Sequence, residues 1–393
     1  MDTRLLLIVA LLPGCRKTPP AAPPPPTPPT PLEAPPSTAP STGPAATATA
    51  KPRPMSLGGF TQLINPCHGE VPHGMLFLSP DEGWIGCGEG SGLWYTSDGK
   101  NFAKAHPSDD LYVFDLELDP QGRLLVCGHD YDDREGAVLL WRQDGEAWER
   151  LLFFGNNKQD PKAATLSNCG QVTVLDSGEI LASSNTIGDI TWSTDDGVRW
   201  HAEERYWEDA NLNPNGYGAY PIMVMTSTAD GLFAGGTMIS KPPTFFGPSQ
   251  HSRGRFFNMK AHVVDPDIIG EIWGMDTPDG GMTWVVGGRD QALTREPSGF
   301  MYRSTDAGET WTKLPMGGRL DVVRDIAFNE DGTLGVAVGH RYPPSKGYVL
   351  VSVDAGASWT PLDVDVPPLE SAAVSDYTFW VGTDGFLAKG SWR

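Results

Sequence analysis

Positive charge is scarce in this chain: 29 Lys and Arg stand against 49 Asp and Glu, a formal net charge of −20 over 393 residues. Nucleic acids and anionic lipid surfaces both call for a basic patch, so this balance argues against either as a partner. Its plain meaning is the solubility of an exported domain. Cysteine is sparse, and no Cys-x-x-Cys spacing occurs among the five, which speaks against zinc. No metal and no cofactor is expected. Gly-x-Ser-x-Gly, a Gly-rich phosphate loop leading into a helix, and His-Glu-x-x-His are all absent, which removes the commonest hydrolase and nucleotide-binding signatures. The apolar run Leu5–Leu12 is too short to span a bilayer.

What the chain does contain is a repeated turn. Ser193-Thr-Asp195-Asp-Gly197-Val-Arg-Trp200, Ser304-Thr-Asp306-Ala-Gly308-Glu-Thr-Trp311 and Ser352-Val-Asp354-Ala-Gly356-Ala-Ser-Trp359 all read Ser-x-Asp-x-Gly-x-x-Trp. The Ser and Asp oxygens can accept bonds from turn amides, and Gly takes the φ > 0 position. The Trp then starts the next strand and packs between neighbouring units. Such a turn fastens a hairpin and carries no chemistry of its own. Weaker copies are Thr96-Ser-Asp-Gly99-Lys-Asn-Phe102, Gln143-Asp-Gly145-Glu-Ala-Trp148 and Arg253-Gly254-Arg-Phe-Phe257. In the first two, Asp has moved to the position before Gly, so the shape should persist with different bonding.

The turn glycines fall at 99, 145, 197, 254, 308 and 356, with gaps of 46, 52, 57, 54 and 48 residues, one four-stranded unit per gap. Within 321–362 the unit reads as Asp321–Phe328, a turn at Asn329–Gly332, then Thr333–Gly339, Tyr348–Val353 and Ser358–Leu362. A second turn series stays in step with the first, for example at Asp81-Glu-Gly83, Asp176-Ser-Gly178 and Pro278-Asp-Gly280. Three strands are left at the C-terminus, Glu370–Ser375, Thr378–Gly382 and Phe386–Trp392, and one before the first unit, Leu57–Ile64. Pairing the lone strand with those three closes a ring and limits exposed sheet edges. The expectation is an all-β chain, a single seven-bladed β-propeller over 55–393, with six or eight blades within the range the spacing allows.

The turns resemble the Asp-box (bacterial neuraminidase) repeat of sialidases, sortilin-type receptors and photosystem II assembly-factor-like propellers. That resemblance implies the propeller fold, and it spans enzymes, receptors and scaffolds alike. A sialidase would grip its substrate with three arginines, the first in a Phe/Tyr-Arg-Ile-Pro motif near the propeller start. That motif is missing, and Arg295-Glu-Pro297 and Arg341-Tyr-Pro343 are its nearest echoes. The related xyloglucan hydrolases build their cleft from two rings, and this chain has one.

Ahead of the propeller, Met1–Cys15 reads as a signal peptide, with Arg4, Leu5–Leu12 and then Leu12-Pro-Gly-Cys15. Its end resembles a bacterial lipobox, which implies lipidation of Cys15; ordinary secretion with cleavage nearby is the alternative. Arg16 after the Cys favours the outer membrane by that resemblance, and otherwise the protein is periplasmic or secreted. Residues 16–54 form a tether: fifteen prolines lie within Thr18–Pro54, a composition that cannot bury a core. At ~3.1 Å per residue it could hold the domain roughly 100 Å from its anchor.

Four cysteines remain for an exported domain, and the blade reading brings Cys67 to Cys87 and Cys127 to Cys169. The other two pairings, or free thiols, stay open. Ligand sites in propellers tend to sit where second strands end and blades connect. Residues there include Glu89, His129, Asp130, Arg289, Asp290, His340, Arg341 and Asp384. The long connection 201–219 adds Tyr206, Trp207 and Tyr217, suited to stacking on sugars or to a protein-binding patch. The function expected is a monomeric, non-catalytic, membrane-anchored scaffold that binds an envelope protein or an extracellular glycan. A glycoside hydrolase acting at the central funnel is the alternative.

Overall fold

The computed structural model describes residues 57–392 apart from 89, 107–110, 131–137, 145–146, 155–168, 184–189, 194–195, 198–199, 204–221, 229–230, 237–241, 249–258, 291–297, 317–319 and 342–345. Cys15, the Pro-rich tether, Asp195 and the weak repeat at 253–257 lie outside the described residues. No helix among those described is long and apolar enough to cross a membrane.

Among the described residues, 28 strands form seven antiparallel sheets of four. We number these blades in chain order by their inner strands: Pro72–Phe77, Leu111–Leu118, Gln171–Val174, Ile222–Thr228, Gly270–Asp276, Val322–Phe328 and Ser371–Ser375. Each inner strand packs against the inner strands before and after it, and that of blade one packs against that of blade seven, so the ring is closed. Blade seven is composite. Its outer strand is Leu57–Leu63, paired antiparallel with Phe386–Trp392. Six- or eight-bladed arrangements do not fit, because each repeat gap holds one whole sheet and the N-terminal strand completes the last.

The fourth strand of blade six is shorter than its sequence suggests. Thr360–Pro361 replaces the expected Ser358–Leu362, because the turn extends through Trp359 before pairing begins. In that turn Ser352 Oγ accepts from the Gly356 amide at 2.9 Å, and Asp354 Oδ1 accepts from the Ser358 amide at 2.8 Å. Ser304 and Asp306 repeat the pattern with the amides of Gly308 and Thr310. Asp98, shifted by one place, accepts instead from the amides of Lys100 and Asn101. Gly308 has φ of 89°, and a Cβ there would sit 2.2 Å from Phe245 of blade four. The turn therefore seats one blade on the one before it, which only Gly permits.

The core lies between blades rather than within a single centre. Blades six and seven share Val336, Val338, Phe379 and Val381, all buried, while Phe77 of blade one stacks on Trp380 of blade seven with centroids 3.6 Å apart. The cysteines pair as Cys67–Cys87 and Cys127–Cys169, with Cα separations of 5.3 and 5.4 Å. Cys127 sits in mid-strand, in register with Asp115, rather than at the strand end. The second bridge thus ties blade two to the residue just ahead of blade three.

Because strands alternate up and down, the two faces of the ring differ. One face gathers the first-to-second-strand turns and the Ser-x-Asp turns. The other gathers second-strand ends and blade connections, around the mouth of the channel.

Candidate functional site

Five of the seven inner strands lose register with their partner near the channel mouth, between Pro72/Gly74, Val113/Asp115, Ile222/Val224, Ile272/Gly274 and Val323/Asp325. Each is a β-bulge, which leaves one residue unpaired and re-aims the chain locally. The unpaired residues are His73, Phe114, Met223, Trp273 and Arg324, all at one depth around the ring.

Four of these side chains fall into two groups. The Arg324 guanidinium lies 3.6 Å from the Trp273 ring centroid, and its Nε is 2.9 Å from Glu370 Oε2 of blade seven. Trp273 Nε1 donates to Glu271 Oε2 at 2.7 Å. In the second group Tyr112 stacks on His73, with Tyr112 Oη 2.7 Å from His73 Nε2, and Phe114 closes the aromatic cluster. Burial pushes His73 down to about 4, and the charge of Arg324 adds to the shift, so His73 is neutral near pH 7. His73 still keeps exposed surface, as a group lining a channel should.

His340 is buried, with Nδ1 3.9 Å from Glu370 Oε1. Loss of hydration lowers it to about 4, helped by the charges of Arg324 and Arg289. Arg289 stands directly across the strand pair from Glu271. His340 and Arg289 thus join one array with Arg324, Glu370, Glu271 and Trp273. Asp290 is buried elsewhere: its charge acts on Tyr302, whose hydroxyl donates to Asp265. Arg341 lies over Tyr348 of its own blade, 5.4 Å from the ring centroid. His129 is half-buried opposite Tyr112. Asp130 ends the same strand, and its side chain is outside the described residues, as are Glu89, Tyr206, Trp207 and Tyr217. Asp384 occupies the exposed second turn of blade seven.

Deeper in the ring are carboxyls that sequence reading did not single out. Asp115 Oδ2 accepts from the Val172 amide of the next blade at 2.9 Å, and Asp325 Oδ2 accepts from Ala372 at 2.8 Å. Asp276 Oδ2 does the same with Phe328 at 2.7 Å. Each clasps the following inner strand, and each also takes the amide of its own next residue. Burial outweighs those bonds, raising Asp115 and Asp325 to about 7 and Asp276 to about 6. Glu117 rises to about 8 through burial and the charges of Asp115 and of Asp276 across the ring. No group of three or more His, Cys, Asp or Glu among the described residues is disposed to hold a metal ion.

The missed residues did leave a trace. Val322-Val-Arg324-Asp325-Ile breaks strand alternation with two successive charged residues, and Val113-Phe114-Asp115-Leu breaks it with two successive apolar ones before the charge, as a bulge does.

No family model matches the sequence. A curated relative, vacuolar protein sorting/targeting protein 10 of Colletotrichum graminicola, is 29% identical over 120 residues, 30% of this chain. That stretch is 7% of the relative's own length. Among solved structures, YCF48 from Cyanidioschyzon merolae aligns with a TM-score of 0.59 at 17% identity, covering 84% of this chain and 98% of that one. A structure described as YCF48 bound to D1 peptide aligns at 0.55 and 18%, covering 86% and 97%. Virginiamycin B lyase from Staphylococcus aureus aligns at 0.59 and 13%, covering 85% and 99%. At these identities the likeness concerns fold: the chain is a single all-β propeller, an architecture shared by binding proteins and by enzymes.

Proposed function

We propose that this protein is a non-catalytic scaffold, held at a bacterial envelope through Cys15, that receives a segment of an envelope protein at its channel mouth. The observation that carries the reading is the ring of bulges. They aim His73, Phe114, Trp273 and Arg324 into one space, where a peptide would find aromatic faces and a charged guanidinium.

The acid–base character of the array favours binding over catalysis. A general base works best with a pKa near the operating pH. His340 is held near 4, and Glu370 beside it is raised by burial but paired with Arg324. Asp115 and Asp325, raised to about 7, spend both carboxyl oxygens on backbone amides. That a YCF48 structure of the same fold carries a peptide supports the choice of ligand class. The enzymatic alternative rests on the lyases of this fold, one of whose structures is described as a catalytically inactive variant in which alanine replaces a histidine. His340 beside Glu370 is the pair such a reading would use here.

The test is affinity capture from envelope extracts with the intact chain, its Trp273→Ala/Arg324→Ala variant, and Met282→Ala on the opposite face as control. Loss of a stoichiometric protein partner in the double variant alone is expected. Equal capture by all three, or turnover of a glycan or cyclic peptide that His340→Ala abolishes, would sink the scaffold reading.

A further inference from the structure

On the face opposite the channel mouth, three first-to-second-strand turns from blades six, seven and one enclose a cleft of about 530 Å³. Two of the large apolar side chains this protein leaves exposed, Leu78 (46%) and Tyr377 (45%), stand in it, with Val374 between them. Its acidic side is Glu330, Asp331 and Asp376. Such a meeting of apolar walls and one sign of charge needs an explanation, since a propeller gains nothing structural from it.

The cleft is preformed. Asn329 Nδ2 donates to the Asp376 carbonyl at 2.8 Å, and the Trp392 amide donates to the Tyr377 carbonyl at 2.7 Å. Beneath them the stacked Phe77 and Trp380 rings make a rigid floor. Among the described residues, no cation pairs with Glu330, Asp331 or Asp376. Lys389, on the neighbouring strand, is instead committed to the Pro80 carbonyl and to Asp81. Asp331 is partly used by the Thr333 amide and hydroxyl, while Glu330 and Asp376 are exposed to solvent.

We infer that this cleft docks a basic peptide segment of a partner protein, one that carries Lys or Arg next to an aliphatic or aromatic side chain. The apolar residue lies against Leu78, Val374 and Tyr377, and the cation reaches Glu330 and Asp376. Charge complementarity selects this occupant: burying an acidic or neutral segment would leave those carboxylates desolvated without a partner. The cleft is separate from the channel mouth and does not depend on the function proposed for that mouth.

Fluorescence anisotropy with labelled hexapeptides tests the inference, using a Lys/Arg–Leu/Tyr panel and the same sequences with Glu in place of each cation. The basic panel should bind the full chain, with affinity falling several-fold between about 50 and 300 mM salt, while the acidic panel should not bind. Glu330→Gln/Asp376→Asn should weaken binding at least tenfold without unfolding the domain, because Glu330 is exposed and Asn tolerates the φ of 51° found at Asp376. Tyr377→Ala should weaken it by a similar factor. Trp273→Ala, at the channel mouth, should leave it unchanged. Equal binding of both panels, no binding of the basic panel, or loss only in Trp273→Ala would overturn the proposal. So would the appearance of binding only after residues 51–56 are deleted, since the cleft would then serve this chain's own Lys51 and Arg53.

Discussion

Aspartates sit in two settings in this ring, and the same chemistry is pushed in opposite directions. On the turn face, Asp306 accepts bonds from the hydroxyl and amide of Thr310 and from the Ser304 hydroxyl, and those bonds hold it below the usual carboxylate range. On the inner strands, Asp325 accepts two bonds, both from backbone amides, those of Ala372 and Ile326, yet it is raised to about 7. One bond fewer does not account for a shift in the opposite direction. Surroundings do: both keep some surface, but at Asp306 in its outer turn the bonds outweigh the loss of hydration, whereas inside the ring that loss outweighs the bonds of Asp325. The turn aspartates therefore hold hairpins as anions, and the inner ones clasp blades while inclined to keep a proton.

The largest effect should come from the backbone that supports the turn set. Gly308→Ala forces a side chain to φ of 89° and against Phe245, and should cost about 2–4 kcal/mol, read as a lowered denaturant midpoint. Next, Asp306→Ala should destabilise by about 1 kcal/mol, as loss of a capping acceptor does elsewhere. Asp325→Asn keeps an oxygen for only one of the Ala372 and Ile326 amides and turns an NH2 on the other. At about pH 8 relief of the buried charge offsets that lost bond, and the net cost should stay below about 1 kcal/mol. Reversal of that order would break the comparison.

A smaller effect is expected with pH. A carboxyl whose folded pKa is raised binds more protons folded than unfolded, so stability falls as pH rises from its unfolded value near 4 through its folded value. Between about pH 8 and 6.5, Asp115, Asp325 and Glu117 take up protons, and Tm should climb by a few degrees. Below about 6.5 the lowered histidines oppose this, because His73 and His340 gain protons only on unfolding there, and the rise should flatten. In an Asp115→Asn/Asp325→Asn variant the upper limb should be nearly flat by calorimetry. The smallest effect concerns Arg324→Met. Removing that charge should raise the pKa of both His73 and His340, seen by NMR titration; no movement of either would separate the two halves of the channel array.

Much of the fold was legible because it is written in local turns. The Ser-x-Asp-x-Gly-x-x-Trp copies mark hairpins by residue type, and the unpaired strand at Leu57 could be matched with Phe386–Trp392 because a ring must close its edge. Cys67–Cys87 and Cys127–Cys169 are the pairings the blade reading favours while the others stay open, although Cys127 lies in mid-strand and not at a strand end. The channel site was only half legible. Arg289 and His340 stand at strand ends, where polar residues draw notice, but Arg324, Trp273 and His73 owe their direction to bulges. A bulge shifts side-chain parity by one, so a reader counting alternate residues assigns them to the wrong face. Glu370 and Arg324 lie on different blades, and nothing local relates them before the ring is built.

The most direct test of the account is site-specific photocrosslinking in cells, with a benzophenone side chain at Tyr112 in the channel mouth or at Met282 on the turn face. The scaffold reading predicts one discrete envelope-protein adduct from position 112 and none of that mass from 282. An adduct from 282 alone, or none from 112 under conditions where the partner is captured, would contradict it.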